Sequence, residues 1–287
     1  MPTSRNSWGP GLRRLVRSAA RDCRAAARQC RGQLAPRSVH WLRVALRRFE
    51  ARLLIVEGLV GRGAATRARK AVRKRLAAFG GLRDAQVHGE RLAELAGNRA
   101  GLGRLRAHWH RRELRERRRA ALALRTRKFD RRVRQLLEVL RDLPADAGTD
   151  RNLSLRARRM LRRLRTRALD RLPRAARDMT RLHRARIAFK RYHLAAEALQ
   201  PFLPEVDAAQ LAAYKDYHRL MGEIHDLDLL LGQLDRAVAE GRASADAVRA
   251  PRAALRRRRT ARVRRYLRLT RKIVGAVPGS RSPDRPA

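Results

Sequence analysis

The sequence predicts an all-α fold built from two pseudo-symmetric helical-bundle repeats, and three observations carry that prediction. From Gly11 to Gly275 the chain runs in Ala, Leu and Arg with a rhythm of about 3.6 residues, and no stretch alternates as a strand would. Short interruptions containing Gly or Pro cut that rhythm into segments of helix length. A pattern met near residue 40 returns near residue 183.

Taken in order, the periodic segments read as helices at about 11–31, 37–60, 63–79, 82–96 and 103–142. RDLPADAGTD, with Pro144 and Gly148, then breaks the pattern. Helices resume at about 152–172, 178–200, 206–220, 224–239 and 246–275. The expected organisation is a disordered N-terminus at 1–10, a first repeat at 11–142 and a linker at 143–151. A second repeat at 152–275 and a disordered tail at 276–287 complete it.

The repeat is visible in the residues. VHWLRVALRRF aligns with LHRARIAFKRY, which sets His40 on His183, Arg43 on Arg186, Arg47 on Lys190 and Arg48 on Arg191, an offset of 143. FGGLRDAQV aligns with MGEIHDLDL and sets Asp84 on Asp226, an offset of 142. Two matches within one residue of the same offset imply an internal duplication, in which the long segments 103–142 and 246–275 also correspond.

On a helical wheel at about 100° per residue, with His40 at zero, Arg43 falls near −60°, Arg47 near −20° and Arg48 near 80°. Val39, Leu42, Leu46, Phe49 and Leu53 gather around ~220°, the face to be buried. The second copy gives the same wheel, with Leu182, Phe189 and Tyr192 on the core face. The basic residues therefore flank the buried stripe instead of opposing it, with Val44 and Ile187 inside the basic arc. Arginine suits such a wall because its planar fork donates paired hydrogen bonds to phosphate oxygens and keeps its charge. An adjacent phosphate would raise the proton affinity of the histidine.

Charge narrows the class of partner. Lys and Arg total 72 against 26 Asp and Glu, a formal net charge of +46, and 66 of the 72 are arginine. Long basic side chains cover apolar surface with their stems, but a merely solvated surface would mix both signs. An excess this large destabilises the compact state through self-repulsion and points to a polyanion: nucleic acid, an anionic membrane surface or a phosphate polymer. With 44% hydrophobic residues the chain is no disordered basic tail. Cys23 and Cys30, seven apart on one predicted helix, form neither a zinc site nor a disulfide framework, so a reducing, cytoplasmic setting is expected. No apolar run approaches the ~18–20 residues of a membrane span.

HxxRVxxRR, repeated as HxxRIxxKR and followed in each copy by an LRD or HDLD segment, resembles the CHAD domain, the conserved-histidine α-helical domain. The resemblance runs from about residue 11 to 275. It implies two pseudo-symmetric helical bundles around a basic central cavity or groove, and binding of inorganic polyphosphate, often at polyphosphate granules of bacteria. His40, Arg43, Arg47 and Arg48, with His183, Arg186, Lys190 and Arg191, would then bind phosphates; Arg73 and Lys215 are weaker candidates on the following helices. The first copy departs from the second in carrying Arg83 where His225 stands and Gln86 where Asp228 stands, and His193 takes a position where the family pattern carries a basic residue. Asp84, Asp226 and Asp228 read as helix-start residues or as orienters of nearby arginines.

Other constellations carry less. His108 and His110 lie two apart, a spacing that points them away from each other on a helix. His225, Asp226 and Asp228 offer donors to a divalent cation bridging phosphates, an extra left out of the expected site, which holds no metal and needs no cofactor. GRGAAT lacks the lysine of a phosphate-binding loop. The acidic ExExK signature of an enzyme domain often fused to CHAD domains is missing too, so a standalone binding module is expected and an enzyme is not. Nucleic acid is the alternative partner, since a pI near 12.0 with arginine stripes is the footprint of its binders. At 4% aromatics, however, the chain is poorly equipped to stack bases, leaving weak nonspecific binding at low salt. The RRRR run at 256–259 sits on a helix that the repeat makes an ordinary bundle element, so no membrane role is expected.

Overall fold

Periodicity without alternation gives helices alone: the computed structural model describes residues 7–61, 63–96, 102–125, 127–144, 146–172 and 179–275, and no strand occurs among them. The helices are α1 (Trp8–Gly32), α2 (Pro36–Val60), α3 (Gly63–Ala78), α4 (Gly80–Ala96), α5 (Gly103–Leu124), α6 (Lys128–Arg141), α7 (Ala147–Leu169), α8 (Met179–Leu199), α9 (Ala208–Ala239) and α10 (Ala245–Gly275). Residues 1–6 and 276–287 of the expected disordered ends lie outside the described residues.

Four boundaries differ from the sequence reading, one of them that of α7, which begins at Ala147 inside the linker expected at 143–151. Helix α1 begins at Trp8, inside the stretch expected to be disordered, because Trp8 has partners far along the chain. Its ring stacks on Phe202 at 4.6 Å and its backbone N–H donates to Asp150 Oδ1 at 2.9 Å. Gly11, one turn on, lets Phe202 close over the helix; a Cβ there would run into the ring.

The single helix expected at 103–142 is two, α5 and α6. Helix α5 buries Leu105, Trp109 and Ala120, whereas α6 buries Phe129, Val133, Leu136 and Leu140. Nine residues separate Ala120 from Phe129, which at about 100° each would put them on opposite faces of one continuous helix. The break re-phases the apolar stripe. Conversely, the two helices expected at 206–220 and 224–239 are one, α9, since Tyr217, Met221, Ile224 and Asp228 continue one buried stripe straight past Gly222. The chain thus has six described helices before Pro144 and four after, in place of five and five.

Contacts divide the chain into two units. The first takes residues up to 161 together with 194–206, the second 162–193 together with 207–287. In the first, the predicted stripe of α2, Val39, Leu42, Leu46, Phe49 and Leu53, is wholly buried, as are Leu12 and Val16 of α1, Val72 of α3 and Phe129 of α6. Phe49 meets Phe129 edge to face at 5.9 Å. The second unit has an aromatic core: Phe189 of α8 packs edge-on to Tyr214 (5.3 Å) and Tyr217 (5.0 Å), and Tyr217 stacks on Tyr266 of α10 at 5.3 Å. Buried hydroxyls there are paired, as burial demands. Tyr217 bonds Thr270 at 2.6 Å, and Tyr266 donates to the Leu172 carbonyl at 3.0 Å.

Candidate functional site

Pro36 opens α2 at a position where a missing N–H costs nothing, and the turns that follow carry His40, Arg43 and Arg47 beside the buried stripe. Helix α4 approaches that flank. Buried Gln86 donates to the Leu34 carbonyl at 2.8 Å, and Arg83 Nη1 donates to the Pro36 carbonyl at 3.4 Å. The Arg43 guanidinium lies over Gly80, 3.5 Å from where a Cβ would be, and donates to the Leu76 carbonyl at 3.2 Å.

The result is a cluster of like charge. Burial, and then the neighbouring Arg47 and Arg83, push the Arg43 pKa down to about 10, with Asp84 opposing. His40 is held below its ordinary value, first by burial and then by Arg83, Arg47 and Arg43. Trp41, half exposed, stands edge-on to the His40 ring at 5.7 Å.

Helix α8 repeats the arrangement in the second unit. The Arg186 guanidinium lies against Gly222 of α9, with Nη2 3.7 Å from a would-be Cβ. The His183 and His225 rings face each other at 4.7 Å, tilted by 38°. Burial and then Arg186 hold His183 below its ordinary value. His225 is lowered by burial, then by Arg186 and His183, against the opposing pull of Asp226 and Asp228.

Not every expected residue joins these clusters. Arg48 stands about 100° around the helix from Arg47, and its Nη2 lies 3.5 Å from Glu197 beside Arg52. Arg73 lies 3.5 Å from Glu50, also paired with an acid. Lys190 is half buried on α8, while Arg191 and Lys215 are exposed and make no ion pair among the described residues. His193 is buried and stacks with His218 at 6.5 Å instead of entering the cluster. His108 sits edge-on to Trp109, 5.6 Å away.

The aspartates resolve in favour of orientation over capping. Asp226 and Asp228 fall in the middle of continuous α9, so neither starts a helix. Asp228 accepts a hydrogen bond from Arg259 Nε. Among the described residues no three His, Cys, Asp or Glu side chains converge as a metal ion would require.

Two cluster members escaped the sequence reading, Arg83 and His225. The signal was present: the 142-residue offset sets one on the other, so that position is basic in both copies. They were read as a departure because arginine and histidine differ, when the property they share is positive charge.

Three comparisons bear on this arrangement. The CHAD domain family model matches residues 14–235. The crystal structure of the CHAD domain from the plant Ricinus communis superposes with a TM-score of 0.65 at 21% identity, covering 92% of this chain and 91% of that one. PptA from Streptomyces chartreusis also superposes with a TM-score of 0.65, at 19% identity, covering 93% of this chain and 99% of its own. No curated protein matches. These identities establish a shared fold, and a family match over most of the chain establishes kinship: the chain belongs to the CHAD domain family.

Proposed function

We propose that the protein binds inorganic polyphosphate through two basic stations, His40 with Arg43, Arg47 and Arg83, and His183 with Arg186, Lys190 and His225. The observation that carries the reading is the same unfavourable arrangement in each unit. In each unit an arginine and a histidine stand beside a basic residue of a following helix, and the cations depress one another's proton affinity, with Asp84 opposing in the first unit and Asp226 and Asp228 in the second. Repulsion among these cations is a cost to the isolated fold. A bound phosphate would attract every cation in the cluster and offset their mutual repulsion.

The recurrence of an arginine on a glycine and of a histidine facing a basic residue, at offsets of 142–143, supports descent of the two halves from one duplicated unit. We place the two stations on a basic cavity or groove followed by the polymer. Binding is multivalent, charge-assisted and accompanied by counterion release. Polyphosphate has no bases to read, so phosphate density does the selecting. The protein acts as a binding module and not an enzyme, located in the cytoplasm at polyphosphate granules. Duplex nucleic acid is held only weakly and nonspecifically at low salt.

A competition titration tests this. Labelled long-chain polyphosphate, at about physiological ionic strength, is displaced by unlabelled polymer or by duplex DNA, using wild type and a His40→Ala/Arg43→Ala/His183→Ala/Arg186→Ala variant. Weak competition by DNA, with a variant that loses polyphosphate yet keeps its residual DNA binding, is expected. Equal competition by DNA, and a variant that behaves as wild type, would hand the protein to the nucleic-acid reading.

A further inference from the structure

A large cavity of the first unit shares no lining residue with the His40 cluster. About 1340 Å³ in volume, it opens between the C-terminal half of α1, α3, the end of α5 and the start of α6. That volume exceeds the ~300–1,000 Å³ of ordinary small-molecule sites, so it has room for more than a single ion.

Its lining is unlike the rest of the chain. Nine of its seventeen residues are arginine, more than twice the share given by 66 of 287 overall. One lining residue, Asp130, is acidic, and it accepts from Arg24 Nε at 2.7 Å. Arg117 is held by Glu113 at 2.8 Å. Arg75, buried, spreads over the Phe129 ring 4.5 Å from its centroid. The remaining six, Arg28, Arg31, Arg118, Arg125, Arg127 and Arg134, are exposed and make no ion pair among the described residues. They come from three helices and the α5–α6 break, and converge on one opening. Behind them, Ala27, Cys30 and Leu34 form a buried apolar back wall.

Six guanidinium groups around one opening concentrate charge that a monovalent or divalent ion could not span. Arginine's fixed fork favours oxygen pairs on tetrahedral phosphorus over a diffuse ion cloud. We infer that this cavity is a second, separate site for a compact oligophosphate anion, a ligand presenting three or more linked phosphates, with the apolar back wall able to accept an attached nonpolar moiety. Such a ligand has two sources, a short inorganic chain and a nucleoside triphosphate. The site stands independently of the polymer-binding reading, because its residues and those of the stations do not overlap.

Calorimetric titration of the full chain with inorganic tripolyphosphate, and separately with a nucleoside triphosphate, tests the assignment. The Arg28→Ser/Arg118→Ser/Arg127→Ser variant should lose affinity for tripolyphosphate at least about tenfold, since each substitution removes a charge-assisted contact. The His40→Ala/Arg43→Ala variant should keep that affinity within about threefold, because it leaves the cavity's contacts intact. Tighter binding of the nucleoside triphosphate would assign the back wall to the base, and equal binding would assign recognition to the phosphates alone; both uphold the site. The inference is overturned if the triple serine variant, folded by circular dichroism, binds tripolyphosphate as wild type does, or if the station variant accounts for all of its binding. Should the triple variant not fold, Arg125→Ser at the exposed end of α5 carries the same test, with about a threefold loss expected and no loss overturning the site.

Discussion

Acidification should act on this protein in two opposite directions, and the stations determine both signs. His40, His183 and His225 are each held below their ordinary value of 6.5 in the folded chain. Between 6.5 and the lowered value the unfolded chain holds the proton and the folded chain does not, so stability is fully present above that window and is lost as pH falls through it. Polyphosphate reverses the preference. Phosphate beside an imidazole favours its charged form, so binding takes up protons and must strengthen as pH falls. The size follows from counting sites. One proton taken up per molecule gives about tenfold in affinity per pH unit, and three histidines set the ceiling. His40 is exposed and contributes least, while for His183 and His225, ring against ring at 4.7 Å, charging one opposes charging the other. An uptake of roughly one to two protons is therefore expected, about 10- to 100-fold per pH unit near the middle of the window. The assay is long-chain polyphosphate titration from about pH 8 to about 5.5 at constant ionic strength, beside thermal unfolding of the free protein over the same range. Affinity that is flat or weakens with acid would refute the reasoning. So would a His183→Gln/His225→Gln variant that retained the wild-type slope.

Two further predictions concern the scaffold. Phe49→Ala empties a fully buried site that meets Phe129 across α2 and α6, and should cost about 3–5 kcal/mol by chemical denaturation. Tyr217→Phe removes the hydroxyl bonded to Thr270, while Thr270 still donates to the Tyr266 carbonyl at 2.9 Å. The expected loss by the same measurement is therefore only about 1 kcal/mol, one neutral hydrogen bond without a newly orphaned donor.

What could be read in the sequence divides along a physical line. The stripe from Val39 to Leu53 was legible because burial follows from periodicity alone, and every member of it is buried. The α5–α6 break was not, because it answers to where Phe129 must point, a demand set by Phe49 eighty residues earlier. Trp8 was missed for the same reason: its partners Asp150 and Phe202 are remote in sequence. Within the stations, His40, Arg43, His183 and Arg186 were legible from one helix's spacing. Arg83 and His225 needed the packing of a second helix against it. Arg48 and Arg73 stand apart from them beside Glu197 and Glu50, acids that carry no mark in the motif.

That difference separates two kinds of arginine. Net charge of +46 says that most basic residues lack an acid, but not which ones. The ones that matter for an anion are those that the fold holds in place without neutralising them. Arg48 fails that test through Glu197, whereas Arg43 passes it: a carbonyl and a glycine surface fix its guanidinium, and its charged neighbours are mostly cations. A carbonyl orients a donor without cancelling its charge, as a carboxylate would. Arg83, held by the Pro36 carbonyl, follows the same rule. Helix packing through backbone oxygens is thus how an arginine-rich bundle pre-positions charge at the expense of its own stability. On the proposed reading, repulsion within the cluster is relieved when a phosphate polymer binds, so binding stabilises the fold as well as the complex.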